Sequence, residues 1–220
     1  MRLLGPLLCV LVACTPTGAG PSSPTSGSPT ADTCPRLGPV QPHQVSKACD
    51  GGDRGVCEAE CSAGRSAACF VRGLLAQHDQ DDTQASWFAR GCAAGSPIAC
   101  TNFGAEGFAA KRKLEPGCML SLFQAACAES EPFGCGMMGR MYVEDRGIAP
   151  NAAKAREILV PSCKSLGGFP CWVLGTYLHD GRLGDVDDGG ARDAFARGCK
   201  TGYAPACTSL DELDADKGKF

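Results

Sequence analysis

Cysteine is the residue type with the most chemistry to offer here: there are sixteen, and twelve fall into pairs with seven residues between the partners. The pairs are Cys49 with Cys57, Cys61 with Cys69, Cys92 with Cys100, Cys127 with Cys135, Cys163 with Cys171, and Cys199 with Cys207. Clustered cysteines can close disulfides or ligate a metal. Structural zinc sites use knuckles with about two to four residues between ligands, in matched sets. Cys57 and Cys61 raise that question, but the other cysteines follow a different spacing, and His43, His78 and His179 are far apart in sequence. The spacing therefore favours disulfides, with no metal and no cofactor expected.

Along one continuous helix, residues eight apart are separated by about 12 Å, given a rise of about 1.5 Å per residue. A disulfide needs Cα atoms within about 7 Å, so bonded partners require the chain to reverse between them. Gly52, Gly64, Gly95 and Gly202 each stand three residues after a first cysteine, and Pro97, Pro132, Pro170 and Pro205 stand just before a second one. Glycine past a helix end and proline at a helix start are the expected punctuation. Each pair is thus expected to tie the end of one helix to the start of the next, closing a loop worth roughly 2.5 kcal/mol in the chain-entropy model. Cys34 and Cys118 are left over; their pairing with each other rests on elimination, would fold an N-terminal arm back onto the array, and stays open.

Other chemical motifs are thinner. Lys200, Thr201 and Gly202 spell the KTG triplet of penicillin-recognising enzymes, but the companion S-x-x-K and S-D-N motifs are missing and Gly202 already has a turn role. Asp185, Asp187 and Asp188 invite calcium, yet no acidic residue closes the loop as an EF-hand does. With His179 and Asp180 they are expected in a solvated inter-helix loop. Nucleophile elbow, HExxH, P-loop and dinucleotide fingerprints are absent, and no catalytic residue is assigned.

The elements that carry the cysteines repeat. First cysteines stand at 61, 92, 127, 163 and 199, a period of 31 and then 35 to 36 residues, which signals stacked helical hairpins. FARGC occurs at Phe88–Cys92 and again at Phe195–Cys199; FQAA and LVPS precede Cys127 and Cys163. After each second cysteine a first helix is expected, with Gly73, Gly104, Gly139 and Gly175 at the same step. An interior glycine costs a helix about 1 kcal/mol, so its recurrence points to two helices in close approach. Met138, Met141, Tyr142, Val173, Leu174 and Tyr177 have helical spacing and are expected in the core. An Ala-rich second helix follows, at Ala152–Val160 in one unit and Ala191–Gly198 in another. Such hairpins bury their faces only by stacking. The expected fold is all-α: an α-solenoid of disulfide-linked helical hairpins over residues 45–213, with a polar tail at 214–220.

Ahead of the array, Arg2, the apolar run Leu3–Val12 and the small Ala13 read as an export signal, 1–13. The run is about half the ~20 residues a membrane-spanning helix needs. Residues 14–44 read as an anchor and flexible tether, because Thr15–Ala31 is almost entirely Pro, Thr, Ser, Gly and Ala. Export fits the cysteine content, which suits an oxidising compartment. The net charge of −3, with scattered Lys and Arg, gives no footprint for nucleic acid.

Leu11, Val12, Ala13 and Cys14 resemble the bacterial lipobox. That resemblance implies lipidation at Cys14 and, with Thr15 following, the outer membrane. The array, over roughly residues 45 to 212, resembles the Sel-one-like repeat, a relative of the tetratricopeptide repeat, and most closely its cysteine-rich branch, the Helicobacter cysteine-rich protein family. The C-x(7)-C joints, the glycine four residues after each second cysteine, and Tyr142 and Tyr177 carry the likeness. Departures are the truncated first unit, with three residues between Cys57 and Cys61, and the loop after Gly107 that leads to the extra Cys118.

Stacked hairpins present an extended concave surface suited to a peptide or protein partner. The first expectation is therefore a binding or scaffolding module: a monomer, held to the membrane through its N-terminal lipid, on the periplasmic face or cell surface of the envelope. Weak beta-lactamase activity or binding of peptidoglycan fragments is what family analogy offers second, and a purely structural surface lipoprotein is third.

Overall fold

The computed structural model describes residues 33–217. The signal, Cys14 and the whole of the stretch Thr15–Ala31 lie outside the described residues. Among these there are eleven helices and no strand: α1 (Lys47–Asp50), α2 (Arg54–Ser62), α3 (Ser66–His78), α4 (Gln84–Ala93), α5 (Pro97–Phe108), α6 (Pro116–Ala128), α7 (Pro132–Met141), α8 (Ala152–Leu166), α9 (Gly168–His179), α10 (Asp188–Lys200) and α11 (Ala204–Lys217). This is the all-α array that the repeat implies. Local chemistry sets the helix starts: Ser46, Asp53, Ser96, Asn151 and Asp187 each accept a first-turn N–H, and Pro97, Pro116 and Pro132 occupy the opening turn.

Every spaced cysteine pair joins the end of one helix to the start of the next. The six Cα–Cα distances run from 4.4 to 4.8 Å. The seventh disulfide among the described residues, Cys34–Cys118, spans 5.8 Å between Cα atoms and 84 positions in sequence. At the joints after Cys92 and Cys199 the turn passes through Gly95 and Gly202 at φ +98° and +86°, where a side chain is disfavoured. The joint after Cys127 uses Ser130 there, at φ +60°.

The helices form two layers. The first helices α3, α5, α7, α9 and α11 each touch the next along the array, whereas among the second helices only α8 and α10 meet closely. The first helices are therefore the inner layer. What holds the layers together explains the recurrent glycine. A β-carbon on Gly73 would lie 2.4 Å from the Phe88 ring, on Gly104 2.7 Å from Phe123, on Gly139 2.5 Å from Leu159 and on Gly175 2.5 Å from Phe195. Phe88 and Phe195 are the phenylalanines of the two FARGC pentapeptides, and Phe123 and Leu159 hold the same place in the other two units. Each second helix thus drives one fully buried side chain into a notch that only glycine leaves open.

Three details depart from the sequence reading. Helix α8 runs through Pro161 to Leu166 instead of ending near Val160, because Ile158, Leu159 and Cys163 bury on one face across the proline. Helix α11 continues to Lys217, past Leu213. Counted from the second cysteine, Tyr177 matches the fully buried Met141, and Tyr142 caps α7 one step later.

The N-terminal arm, residues 33–46, has no helix. Cys34 bonds it to α6, Pro35 is buried, and Leu37 packs against the cluster of Phe103 and Leu122. The Gly38 N–H donates to the Cys92 carbonyl at 3.0 Å and the Gln41 N–H to Gly95 at 3.2 Å.

Candidate functional site

The inner layer carries an apolar strip at the N-terminal ends of its helices. Ile98, Phe133 and Phe169 each stand two residues before a second cysteine, so helix geometry aims them alike. The strip begins at a groove of about 370 Å³ lined by the arm's Gln41 and His43, by Phe70 and Ile98, and by Glu129 and Pro132. His43 meets the Phe70 ring edge-on at 6.0 Å. Next along the array, Phe133 stacks on Phe169 at 4.6 Å, with Tyr203 edge-on to both and Trp172 beside them. Phe133 is 43% exposed. Phe169 reaches across to α7 because Gly136 is there; a β-carbon would lie 2.4 Å from its ring. Glu131 fixes the start of α7, accepting from the Phe133 and Gly134 N–H groups and from Thr101 Oγ1. An aromatic surface held this rigidly suits an extended segment carrying proline or aromatic side chains.

A second feature lies where α7 and α9 end. There a pocket of about 190 Å³ is lined by Arg140, Glu144, Trp172, Thr176, Tyr177 and Arg182. The Tyr177 hydroxyl donates to Glu144 Oε1 at 2.5 Å, and Arg140 Nε donates to the same oxygen at 2.8 Å. Burial, and then the hydrogen bond to this carboxylate, push the Tyr177 phenol well above its ordinary range. Burial also opposes the charge on Glu144, but Arg140 and Tyr177 as donors, with the charges of Arg140 and Arg146, outweigh it and hold the carboxylate below its usual value. Arg140 and Arg146 lie over the Phe108 ring at 4.6 and 4.8 Å; Arg182 lies over Tyr177 and donates to the Val143 carbonyl. These guanidiniums brace the loop after α7 and are already engaged, so the pocket is a structural wall more than an anion seat.

The residues singled out from sequence fall elsewhere. The twelve spaced cysteines lie at the joints, and Cys34 with Cys118 fastens the arm to α6. Thr201 accepts from the Gly168 N–H and donates to the Gly198 carbonyl, both at 2.8 Å, which ties the KTG triplet into the last joint; Lys200 is exposed. Asp187 caps α10 and Asp188 sits 2.7 Å from His179 Nδ1. The Ser209 hydroxyl accepts from Trp172 Nε1. Among the described residues no group of three His, Cys, Asp or Glu is placed to hold a metal, and no helix is long and apolar enough to cross a membrane. The aromatic strip went unnoticed in the sequence, although the fixed place of Ile98, Phe133 and Phe169 before each cysteine was there to find.

Comparison with known proteins bears on the architecture. No family model matches the chain. A crystal structure of a Sel1 repeat protein from Oxalobacter formigenes superposes with a TM-score of 0.60 at 17% identity, over 73% of this chain and 68% of that one. The fold is that of a Sel1 repeat array. Mouse cytochrome c oxidase assembly factor 7 is 30% identical over 86 residues, 36% of this chain; the match spans 37% of that relative's length. In Sel1 repeat terms, α3 with α4, α5 with α6, α7 with α8 and α9 with α10 are the full hairpins, and α11 closes the stack.

Proposed function

We propose that this chain is an extracytoplasmic binding module that takes an extended segment of a partner protein along the N-terminal ends of its inner helices. The observation that carries this reading is the Phe133–Phe169–Tyr203 strip, aromatic and partly exposed beside a groove. Exposed aromatic anchors backed by rigid structure are where binding energy concentrates. The array is a monomer without cofactor or nucleic acid. It is held to the outer membrane of a bacterial envelope by lipid on Cys14, with the part of 14–44 that precedes the packed arm at residue 33 as tether and 45–213 as the repeat array.

Peptides selected from a random display library against the oxidised protein test the reading. Phe133→Ala should weaken them by about tenfold or more, a loss of about 1.4 kcal/mol. Selected peptides that bind this variant as well as the parent protein would refute it. Mass analysis of the exported N-terminus should find diacylated Cys14; an unmodified N-terminus further along the chain would remove the anchor. The hydrolase reading gains nothing from the joint position of Thr201.

A further inference from the structure

The arm of this chain is itself a bound peptide, and its seat is defined atom by atom. Besides the hydrogen bonds of Gly38 and Gln41 to the Cys92 and Gly95 carbonyls, two backbones cross closely. A β-carbon on Gly38 would meet the Ala93 carbonyl oxygen at 2.1 Å, and one on Gly95 would meet the Pro39 carbonyl oxygen at 1.9 Å. The crossing thus requires glycine on both sides, and the peptide's glycine is followed by proline. Beyond it the arm runs into the groove beside Phe70 and Ile98.

Counted from the cysteines, the last joint repeats this seat. Gly202 follows Cys199 by three residues as Gly95 follows Cys92, and the Cys199 carbonyl accepts from the Gly202 N–H as the Cys92 carbonyl does from Gly95. Trp172, one residue after Cys171, takes the place of Phe70, one after Cys69. Tyr203, four before Cys207, takes the place of Ser96, four before Cys100. Occupancy differs. Among the described residues nothing but its chain neighbours lies within 4 Å of a β-carbon built on Gly202, and no hydrogen bond reaches the Gly202 carbonyl. Gly64 is open as well, but Glu58 and Arg65 stand at its two wall positions instead of aromatics.

We propose that the last joint is a second seat of the same kind, taking a Gly-Pro-containing, non-helical segment of a partner protein against Trp172 and Tyr203. The proposal rests on the binding reading above and names the peptide class and the end of the array where it docks. Proline arrives with φ already fixed and packs well on aromatic faces, so ordering costs little.

A fluorescent peptide copying residues 35–44, titrated into the oxidised protein, provides the test. Saturable binding should shift the backbone amide resonances of Gly202 and Tyr203. Gly38→Ala in the peptide and Tyr203→Ser in the protein should each weaken binding by about tenfold or more. Serine is what the covered joint carries at that position, so Tyr203→Ser preserves the fold. Shifts confined to Gly95 and Ser96, meaning displacement of the arm, would overturn the proposal; so would the absence of saturable binding. Binding lost in Phe133→Ala but kept in Tyr203→Ser would overturn the seat and leave the broader binding reading intact. Dimers that form at working concentration and exclude the peptide would assign the seat to a second copy of the chain.

Discussion

Around Cys49, Cys57, Cys61 and Cys69 the buried apolar cluster contains, besides those cysteines, only Ala68. From Phe108 to Leu213 the core is built from phenylalanine, methionine, leucine and tyrosine side chains, with Phe123, Met141 and Leu159 fully buried. The N-terminal end, whose opening helix is four residues long, has too little apolar surface to bury, and two bridges within 21 positions take over what packing does further along. Cross-linking stands in for a core where elements are short, as in small secreted domains. Among the described residues the one bridge between distant elements, Cys34–Cys118, couples this thin end to the well-packed half.

Substitutions can break that contrast or sharpen it. Cys34→Ser with Cys118→Ser opens the longest loop and should cost about 4.5 kcal/mol in the chain-entropy model, read from urea unfolding, with fast amide exchange at Gly38 and Gln41. A loss under about 1 kcal/mol would mean the arm holds without its staple. Phe123→Ala empties the notch beside Gly104 and should cost about 3–5 kcal/mol of global stability. Cys49→Ser with Cys57→Ser should cost about 2.5 kcal/mol, and hydrogen exchange should localise the loss to α1–α3. If Phe123→Ala proved the milder of the two, the division between packed and cross-linked ends would fail.

Tyr177→Phe removes a hydrogen bond to the partly buried Glu144 carboxylate and should cost about 1.5 kcal/mol near neutral pH, the lower end for a hydrogen bond to a charged group. Because Glu144 titrates below its usual value in the folded protein, its contribution is complete above the ordinary carboxylate range and is lost as pH falls through the depressed value. The acid limb of a stability–pH curve should therefore be shallower in Tyr177→Phe than in the parent protein; parallel limbs would assign the acid sensitivity elsewhere. The smallest change is expected from Phe133→Ala, at about 1 kcal/mol or less in unfolding experiments, since that ring serves binding more than folding.

Much of the architecture was legible because its constraints are local. Seven residues between cysteines, with glycine three after the first in four pairs and proline one to three before the second in four, specify a chain reversal without knowledge of distant partners. The recurrent glycine even announced a close approach, although only the structure shows Phe88, Phe123, Leu159 and Phe195 filling the notches. What stayed hidden depends on juxtaposition across repeats. Phe133 and Phe169 are 36 positions apart, and nothing in either segment alone says that their rings stack. The course of the arm over Cys92 and Gly95 was equally unreadable, because it is set by backbone hydrogen bonds that carry no side-chain signature. Helix α8 outruns its expected end at Val160 for the opposite reason: Pro161 is a local signal for helix termination, but burial of Ile158, Leu159 and Cys163 on both sides of it carries the helix on.

The spacing of the bridges also orders their formation. In a chain that crosses a membrane N-terminus first, each joint can close once eight further residues have emerged, whereas Cys34 must wait for Cys118 while six other cysteines pass it. Non-reducing maps of chains arrested just before residue 118 would show whether Cys49–Cys57, Cys61–Cys69 and Cys92–Cys100 are closed by then. Were those six thiols consumed in neighbouring pairs by then, Cys118 would be the first free partner downstream of Cys34, and the order in which cysteines emerge during the proposed export would select the long-range bridge.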